Sequence, residues 1–328
     1  MNNNNPNPNA TPTMIQALGF EAEMARLRQA LTDWSGSADP EMREFLAWQF
    51  EAGSKYFRPL TLFACHRAVG GGAISRGLIH AAMAVEIFHN MTLIVDDILD
   101  KSPARRGKPT MHTRFGELQA LMCSGWIVAD GYDIVTDPRA YEPGEANPAL
   151  LRLNVQLLSE LVKRLGVAEV MQWRLRRQPL GVEDWRRIAG EDTGSMFEIC
   201  ACLGTRSDQL RRFGALLGMV YHGCDDVGDV RGAVALGGGG VEDLRDGILT
   251  LPAALAIRDP AIRTLFCKPQ PSDDELRVIG QANAAQLDEA ESLLDDLAAQ
   301  AVDQAEKFAA EPAPLIALVR YTRELSRM

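Results

Sequence analysis

The sequence predicts an all-α protein that folds as a single-domain helical bundle. The segment GLIHAAMAVEIFHNMTLIVDDILD at 77–100 carries almost no charge in its first half, as expected of a helix buried on all sides. The segment 274–310 has apolar residues every three or four positions, which is the pattern of an amphipathic helix on the outside of a bundle. Alternating β-branched segments joined by hairpin turns are not evident in the sequence.

Short breaks rich in glycine, proline or polar residues divide the chain into successive helices from Met14 onward. They lie at 35–40, 68–75, 101–109, 136–148, 232–240 and 268–273. Proline and glycine end helices there because proline lacks a backbone donor and glycine gains conformational freedom outside a helix. Since none of these breaks is a long linker, we expect one domain over 14–328. The polar, uncharged stretch MNNNNPNPNATPT at 1–13 predicts a disordered tail.

Composition excludes some classes of function. The chain has 328 residues, of which 46% are hydrophobic, and a formal net charge of −10. This charge argues against nucleic acid as a partner, because phosphate backbones bind basic surfaces. The six cysteines lack the spacing of zinc ligands, so we expect reduced thiols in a cytoplasmic protein. The N-terminus lacks the features of a signal peptide, and we expect no transmembrane segment because no apolar run approaches the roughly 20 residues required.

Two clusters of three aspartates share one spacing, i, i+1 and i+4. The first ends the apolar segment 77–100, and the second lies in GMVYHGCDDVGDVRG at 218–232. On a helix this spacing projects at least two carboxylates from one face, where they repel each other. Oxygen ligands of this kind favour Mg²⁺ shared with a phosphorylated substrate. The predicted metal ligands are Asp96, Asp97, Asp100, Asp225, Asp226 and Asp229.

Basic residues accompany these clusters. Lys55 and Arg58 lie close together in GSKYFRP, and Arg105 and Arg106 follow the first aspartates. Guanidinium groups suit phosphate oxygens because they donate two hydrogen bonds at once. The pattern therefore predicts two phosphorylated ligands, one held through metal and the other held directly by basic side chains.

These motifs resemble those of the trans-isoprenyl diphosphate synthases, or polyprenyl synthetases. DDILD followed by RRGKPT at 96–110 is similar to the family's first aspartate-rich motif, and DDVGD at 225–229 to its second. GSKYFRP at 53–59 is similar to GGKxxRP, and LRDGILTLP at 244–252 to DLxxGKxTLP. The resemblance implies the isoprenoid synthase fold, an all-α bundle around a deep central cavity, usually as a homodimer.

The same resemblance implies the head-to-tail condensation of an allylic diphosphate with isopentenyl diphosphate, with Mg²⁺ as cofactor. It assigns the six aspartates to magnesium ions that bridge the allylic diphosphate, and Arg105 to the same group. The residues it assigns to isopentenyl diphosphate are Lys55, Arg58, His89 and Arg106. Two further substrate-binding candidates are Thr193 and His222.

Several positions depart from the family pattern. Asp192 and Ile248 stand where the family usually has lysines that contact the allylic diphosphate. Leu175 stands at the acid of the family's GQxxD, and His222 stands at the glutamine before the second motif. We therefore expect the leaving-group side to be short of positive charge. Two nearby arginines are candidates to replace the lysines: Arg231 and Arg245.

Three functions remain open at this point. An active short-chain synthase is favoured by the complete set of isopentenyl-site residues. A terpene cyclase, or a prenyltransferase with another acceptor, would need the aspartates and a cavity but not Lys55, Arg58 and His89. A weakly active partner subunit of a heteromeric synthase is favoured by the missing lysines.

Product length depends on the floor of the cavity. In the family, residues at the fifth and fourth positions before the first motif form this floor, and here they are Met91 and Thr92. Met91 is neither the bulky aromatic of a tight short-chain floor nor the alanine of long-chain enzymes. We therefore expect geranylgeranyl diphosphate as the product, with farnesyl diphosphate as the next choice.

Overall fold

The computed structural model describes residues 10–51, 54–105, 107–232 and 240–327. Across these ranges the chain is almost entirely helical, which confirms the predicted all-α fold class. In chain order the helices are α1 Ala10–Leu18, α2 Glu21–Ser37, α3 Arg43–Glu51, α4 Phe57–Ala68, α5 Arg76–Leu99, α6 Met111–Phe115, α7 Glu117–Thr136, α8 Pro148–Leu175, α9 Val182–Ala189, α10 Ser195–Thr205, α11 Arg211–Arg231, α12 Gly240–Asp246, α13 Leu251–Ala256, α14 Pro260–Phe266, α15 Asp273–Ala284, α16 Leu287–Phe308 and α17 Ala313–Glu324. Short 3₁₀ turns lie at Pro138–Ala140 and Leu325–Arg327, and a π-helical turn lies at Gly190–Gly194.

Five of the six predicted breaks separate two described helices, and most of the sixth, at 232–240, lies outside the described residues. Local capping explains several of these boundaries: Ser75 accepts a hydrogen bond at the start of α5, and Asn147 does so at the start of α8. The N-terminal prediction differs at its boundary, because α1 begins at Ala10 rather than at Met14. Pro12 falls in the first turn of α1, where backbone N–H groups have no partner within the helix, so the missing N–H of proline costs no hydrogen bond. Residues 1–9 of the predicted tail lie outside the described residues.

The helix α5 runs through the centre of the core. It packs against α2, α4 and α7, and most of its apolar side chains are buried. By length and composition α5 is the one described helix that could cross a membrane, which differs from the expectation that no apolar run approaches that length. Of its most apolar 18-residue stretch, 67% is buried inside the fold. Its apolar character is that of a core helix.

A small antiparallel hairpin follows α5. Strand β1, Ala104–Arg105, pairs with β2, Lys108–Pro109, in a ladder too short to give an alternating sequence pattern. Gly107 adopts φ +78°, a left-handed conformation that glycine accepts without strain. The turn folds the chain back so that Arg105 faces the end of α5.

The helix α11 packs closely against the π-helical turn. A Cβ atom on Gly218 would lie 2.7 Å from Cα of Gly194 and 2.8 Å from the carbonyl oxygen of Thr193. Only a glycine permits this approach of the two backbones. The contact places the turn Gly190–Gly194 beside the middle of α11, about two helical turns before its aspartates.

Candidate active site

The first aspartate motif lies at the C-terminal end of α5. Asp97 is buried, with 4% of its surface exposed, and its Oδ1 accepts a hydrogen bond from Arg105 Nε at 2.8 Å. Burial raises the pKa of Asp97, although Arg105 opposes this shift. The structure therefore directs Arg105 to an aspartate of the first motif, on the side where the resemblance assigns the allylic diphosphate.

The other two aspartates of this motif have different surroundings. Asp96 Oδ1 is buried without a hydrogen-bond partner among the described residues. Burial, together with the carboxylates of Glu169 and Asp192, raises the pKa of Asp96 well above its usual value. Asp100 follows the last residue of α5 and accepts a hydrogen bond from Arg176 Nη2 at 2.8 Å.

The second motif lies near the C-terminal end of α11. Asp226 is held from two sides, because its Oδ2 accepts from Trp185 Nε1 and from the backbone nitrogen of Leu251, each at 2.8 Å. Burial raises the pKa of Asp225 to about 7, with Asp229 and Asp226 adding to the effect. Lys55 partly opposes this shift, which places its ammonium group within electrostatic reach of the second motif.

Asp192 and His222 form a buried pair beside the second motif. Asp192 Oδ2 lies 3.4 Å from His222 Nδ1, and Thr193 Oγ1 lies 3.0 Å from the same nitrogen. Burial disfavours the charged imidazole, yet Asp226 and Asp192 raise the pKa of His222 to about 9. Burial likewise disfavours ionised Asp192, but His222 and Arg58 bring its pKa below the usual value. The imidazolium of His222 thus lies between Asp192 and Asp226 as their shared positive partner.

Asp243 on α12 connects the two motifs electrostatically. Its pKa is raised to about 8, by burial first and then by Asp226, Asp229 and Asp225. Asp100 of the first motif contributes to the same shift. Geometry agrees with this, because Arg176 contacts both Asp100 at the end of α5 and Asp246 on α12, and α12 packs against α11. The two aspartate motifs therefore lie around a common space.

Sequence reasoning missed four residues of this site. They are Glu169, Arg176, Trp185 and Asp243. Asp243 precedes LRDGILTLP and stands at the first aspartate of DLxxGKxTLP, which is the signal that could have identified it, whereas only the fold brings the other three to the aspartates. Burial raises the pKa of Glu169 to about 7, with Asp192 and Asp100 adding to the shift.

The residues predicted to hold isopentenyl diphosphate lie on α4, α5 and the segment before α4. Arg58 Nη1 lies 3.1 Å from His89 Nε2, so these two side chains act as one unit. His89, Asp97 and Arg105 line a cavity of about 590 Å³ beside α5. The fourth predicted residue, Arg106, lies outside the described residues.

The two predicted floor residues lie one turn before the aspartates on α5. Met91 is half-buried and packs against the core, and Thr92 Oγ1 donates to the carbonyl oxygen of His89 at 2.8 Å. Thr92 lies between His89 and Asp96 along the helix, at the three- and four-residue spacing of one face.

The two arginines suggested as replacements for the missing lysines point elsewhere. Arg231 Nη1 donates to Glu291 Oε1 at 2.6 Å and to the carbonyl oxygen of Ser326 at 2.5 Å. Arg245 on α12 is exposed to solvent. Sequence proximity suggested both residues, but Arg231 is paired outside the aspartate motifs and Arg245 is exposed to solvent.

The donor set fits magnesium shared with a phosphorylated ligand. Within 10–51, 54–105, 107–232 and 240–327, no three acidic, histidine or cysteine side chains converge tightly enough to hold a metal ion alone. Mg²⁺ in such sites binds one or two carboxylates and completes its shell with water and phosphate oxygens. A divalent cation would give the buried Oδ1 of Asp96 a partner and would relieve the mutual repulsion around Asp225 and Asp243.

The chain is similar to proteins of known type. Residues 39–281 match the polyprenyl synthetase family. A geranylgeranyl pyrophosphate synthase of Arabidopsis thaliana is 30% identical over 63% of this chain, which spans 58% of that relative's length. A nonaprenyl diphosphate synthase of Mycobacterium tuberculosis is 26% identical over 80% of this chain and 79% of its own length.

The fold is also similar to solved structures. A decaprenyl diphosphate synthase from Rhodobacter capsulatus superimposes with a TM-score of 0.80 at 23% identity. The match covers 97% of this chain and all of the other. At this level of identity the likeness establishes the shared fold.

Proposed function

This chain belongs to the polyprenyl synthetase family, and from that premise we propose that it is a prenyltransferase that condenses an allylic diphosphate with isopentenyl diphosphate. One observation carries the proposal. The two aspartate motifs are joined through Arg176, which contacts Asp100 and Asp246 of the neighbouring helix α12, while His89, the partner of Arg58, lines a cavity next to the first motif. The space between the aspartate motifs suits a metal-bound diphosphate, and the adjacent cavity beside α5 suits a second diphosphate.

The aspartates of α5 and α11 would hold Mg²⁺, which when bound neutralises the allylic diphosphate and promotes its departure. Trp185 and Leu251 fix Asp226, and Arg105 fixes Asp97, so these carboxylates are oriented before any ligand arrives. In this proposal Arg105 helps to bind the allylic diphosphate, and Thr193 and His222 lie beside that diphosphate. Lys55, Arg58 and His89, with Arg106, orient isopentenyl diphosphate.

The proposed reaction balances as a substitution followed by an elimination. The allylic carbon–oxygen bond breaks, and pyrophosphate leaves with the bonding electrons. The double bond of isopentenyl diphosphate attacks the allylic cation, and loss of a proton restores a double bond. Holding both substrates in one orientation supplies much of the rate, because the reacting carbons no longer have to meet in solution. The apolar core around α5 excludes water from the cation.

We propose geranylgeranyl diphosphate as the product, with farnesyl diphosphate as the second choice. The support is the size of Met91 at the expected floor and the similarity to a geranylgeranyl pyrophosphate synthase. The similarity to a nonaprenyl diphosphate synthase favours a longer product, so this choice needs a direct product analysis.

We further propose a homodimer formed through α7 and α8, in the cytoplasm. These neighbouring helices carry large apolar side chains that are more than half exposed in the single chain. They are Leu118, Met122, Val167, Val170 and Trp173. A second copy of this chain would remove them from water, and such concentrated apolar surface is typical of obligate interfaces.

Product analysis tests the proposed reaction against its alternatives. Purified protein is incubated with Mg²⁺, labelled isopentenyl diphosphate and allylic primers of increasing length. The proposal predicts a longer prenyl diphosphate. A hydrocarbon formed without isopentenyl diphosphate would establish a terpene cyclase, and a product with another acceptor would establish a different prenyltransferase. Elongation that appears only after a second synthase chain is added would establish a partner subunit.

A further inference from the structure

The site lacks the two lysines that the family resemblance predicts, and the structure places an arginine near the aspartates at a third position. Asp192 and Ile248 occupy the lysine positions, and Arg231 is paired with Glu291 outside the site. Arg176, the residue after α8, is directed at the first motif instead. Its Nη2 donates to Asp100 Oδ1 at 2.8 Å, and its Nη1 lies 3.4 Å from Asp246 Oδ2.

The guanidinium of Arg176 is held by Asp246 on one side and has hydrogen-bonding capacity left on the other. Its side chain is 19% exposed and lies over the ring of Trp173, with 4.3 Å from the guanidinium carbon to the ring centroid. Asp246 holds Nη1. The opposite edge consists of Nη2, which contacts one oxygen of Asp100, and Nε, which is buried and meets no acceptor in the described part of the chain. This Nε–Nη2 edge is the one that binds two oxygens of a phosphate or carboxylate in parallel.

We propose that Arg176 is a substrate-binding residue for the allylic diphosphate and replaces the charge that is missing at 192 and 248. In the ligand-free protein it neutralises Asp100. If Asp100 were engaged by a magnesium ion, the Nε–Nη2 edge of Arg176 would be released to donate to the diphosphate, and Asp246 would keep the guanidinium in place. This inference rests on the proposed function, because it names a residue for that same diphosphate.

The local sequence is consistent with this role. Leu175 stands where the family pattern has an acid, so no carboxylate directly precedes Arg176 at the end of α8. An acid at that place would compete with a diphosphate for the guanidinium. The neutral side chain leaves Arg176 to its two aspartates and to an incoming anion.

Binding of inorganic pyrophosphate in the presence of Mg²⁺, measured by isothermal titration calorimetry, tests the inference without turnover. We expect Arg176→Ala to weaken the Mg²⁺-dependent affinity about tenfold or more, since it removes charge-assisted hydrogen bonds. Arg176→Lys should weaken it less, because an ammonium keeps the charge but cannot donate from two fixed positions. The matched control is Arg174→Ala, which removes an exposed arginine from the last turn of α8, two residues before Arg176, and should leave the affinity unchanged.

Asp246→Asn separates a positioned guanidinium from a general charge effect. Removing a negative charge near an anion site would tighten pyrophosphate binding if only net charge mattered. Our inference predicts weaker binding, because a neutral amide holds the guanidinium of Arg176 less firmly than the carboxylate does. Tighter binding in Asp246→Asn overturns the inference, as does an affinity within about twofold of wild type in a folded Arg176 variant.

The binding measurement and the product analysis fail separately. A wild-type protein that binds pyrophosphate through Arg176 but elongates no primer supports the inference and contradicts the proposed condensation. A protein that elongates primers with an unchanged KM for the allylic diphosphate in Arg176→Ala supports the condensation and contradicts the inference. Circular dichroism on each variant establishes that the protein is folded, and Arg176→Lys serves if the alanine variant does not fold.

Discussion

Asp192 Oδ2 lies 3.4 Å from His222 Nδ1, so an acid at an expected lysine position is paired with an imidazole at an expected glutamine position. The two departures from the family pattern are therefore one coupled change. An imidazolium on α11, maintained by Asp226 and Asp192, faces a carboxylate in the π-helical turn, so the pair is neutral where lysine and glutamine would carry one positive charge. The site keeps a cation beside the second motif, although its side chain differs.

This coupling predicts non-additive effects in a double-mutant cycle. His222→Gln leaves Asp192 buried without its cation, and Asp192→Lys places an ammonium against the imidazolium. Each single variant should lose about 1–3 kcal/mol in the free energy of unfolding. The double variant should recover most of this loss, because lysine and glutamine recreate the family arrangement. Chemical denaturation of the four proteins measures the coupling energy, and strictly additive losses would contradict the pairing.

The buried carboxylates predict that the metal-free protein loses stability as the pH rises. The pKa values of Asp225 and Asp243 are raised to about 7 and about 8, so the folded state holds more protons than the unfolded state above about pH 4. His222, with its pKa raised to about 9, acts in the same direction. The Tm in chelator should therefore fall from pH 5 to pH 8.

Two comparisons test the origin of this slope. Asp225→Asn removes one of the titrating groups and should make the fall in Tm shallower. Mg²⁺ with inorganic pyrophosphate should raise the wild-type Tm more at pH 8 than at pH 5, because bound metal favours ionised carboxylates. A Tm that rises from pH 5 to pH 8 in chelator, or an equal slope in both proteins, would argue against these shifts.

The fold and the aspartate motifs were predictable because their signals are local. Breaks in hydrophobic periodicity fall between helices, and the spacing of Asp96, Asp97 and Asp100 is complete within five residues. The contacts of Arg176 and Trp185 were not predictable, since Arg176 and Asp100 are 76 residues apart in sequence and only the packing joins them. The pairing of Asp192 was not predictable either, because the histidine that balances its charge lies on another helix.

Substitutions at Met91 test whether this residue limits product length. Met91→Ala should lengthen the prenyl chain by opening space on α5, and Met91→Phe should shorten it. Mass spectrometry of the products with one allylic primer measures the distribution. Met83→Ala is the matched control, because Met83 is a buried methionine earlier on the same helix and should leave product length unchanged. A distribution indifferent to both Met91 variants would remove this residue from the floor.

The exposed apolar surface of α7 and α8 predicts that a charged substitution there weakens formation of the homodimer. Val170→Glu places a charge among side chains that a homodimer would bury, so it should weaken association by at least about tenfold. Analytical ultracentrifugation over a dilution series measures the change. Val278→Glu, at an exposed valine on α15, is the control and should keep the wild-type association. Equal association in both variants would place the interface elsewhere.

Release of pyrophosphate from an allylic diphosphate tests the condensation most directly. With the wild-type protein, we predict release that requires both Mg²⁺ and isopentenyl diphosphate and that equals the number of prenyl units added. Asp97→Ala should stay folded and release none above background. Release that is independent of isopentenyl diphosphate, or no release with any primer, would contradict the account.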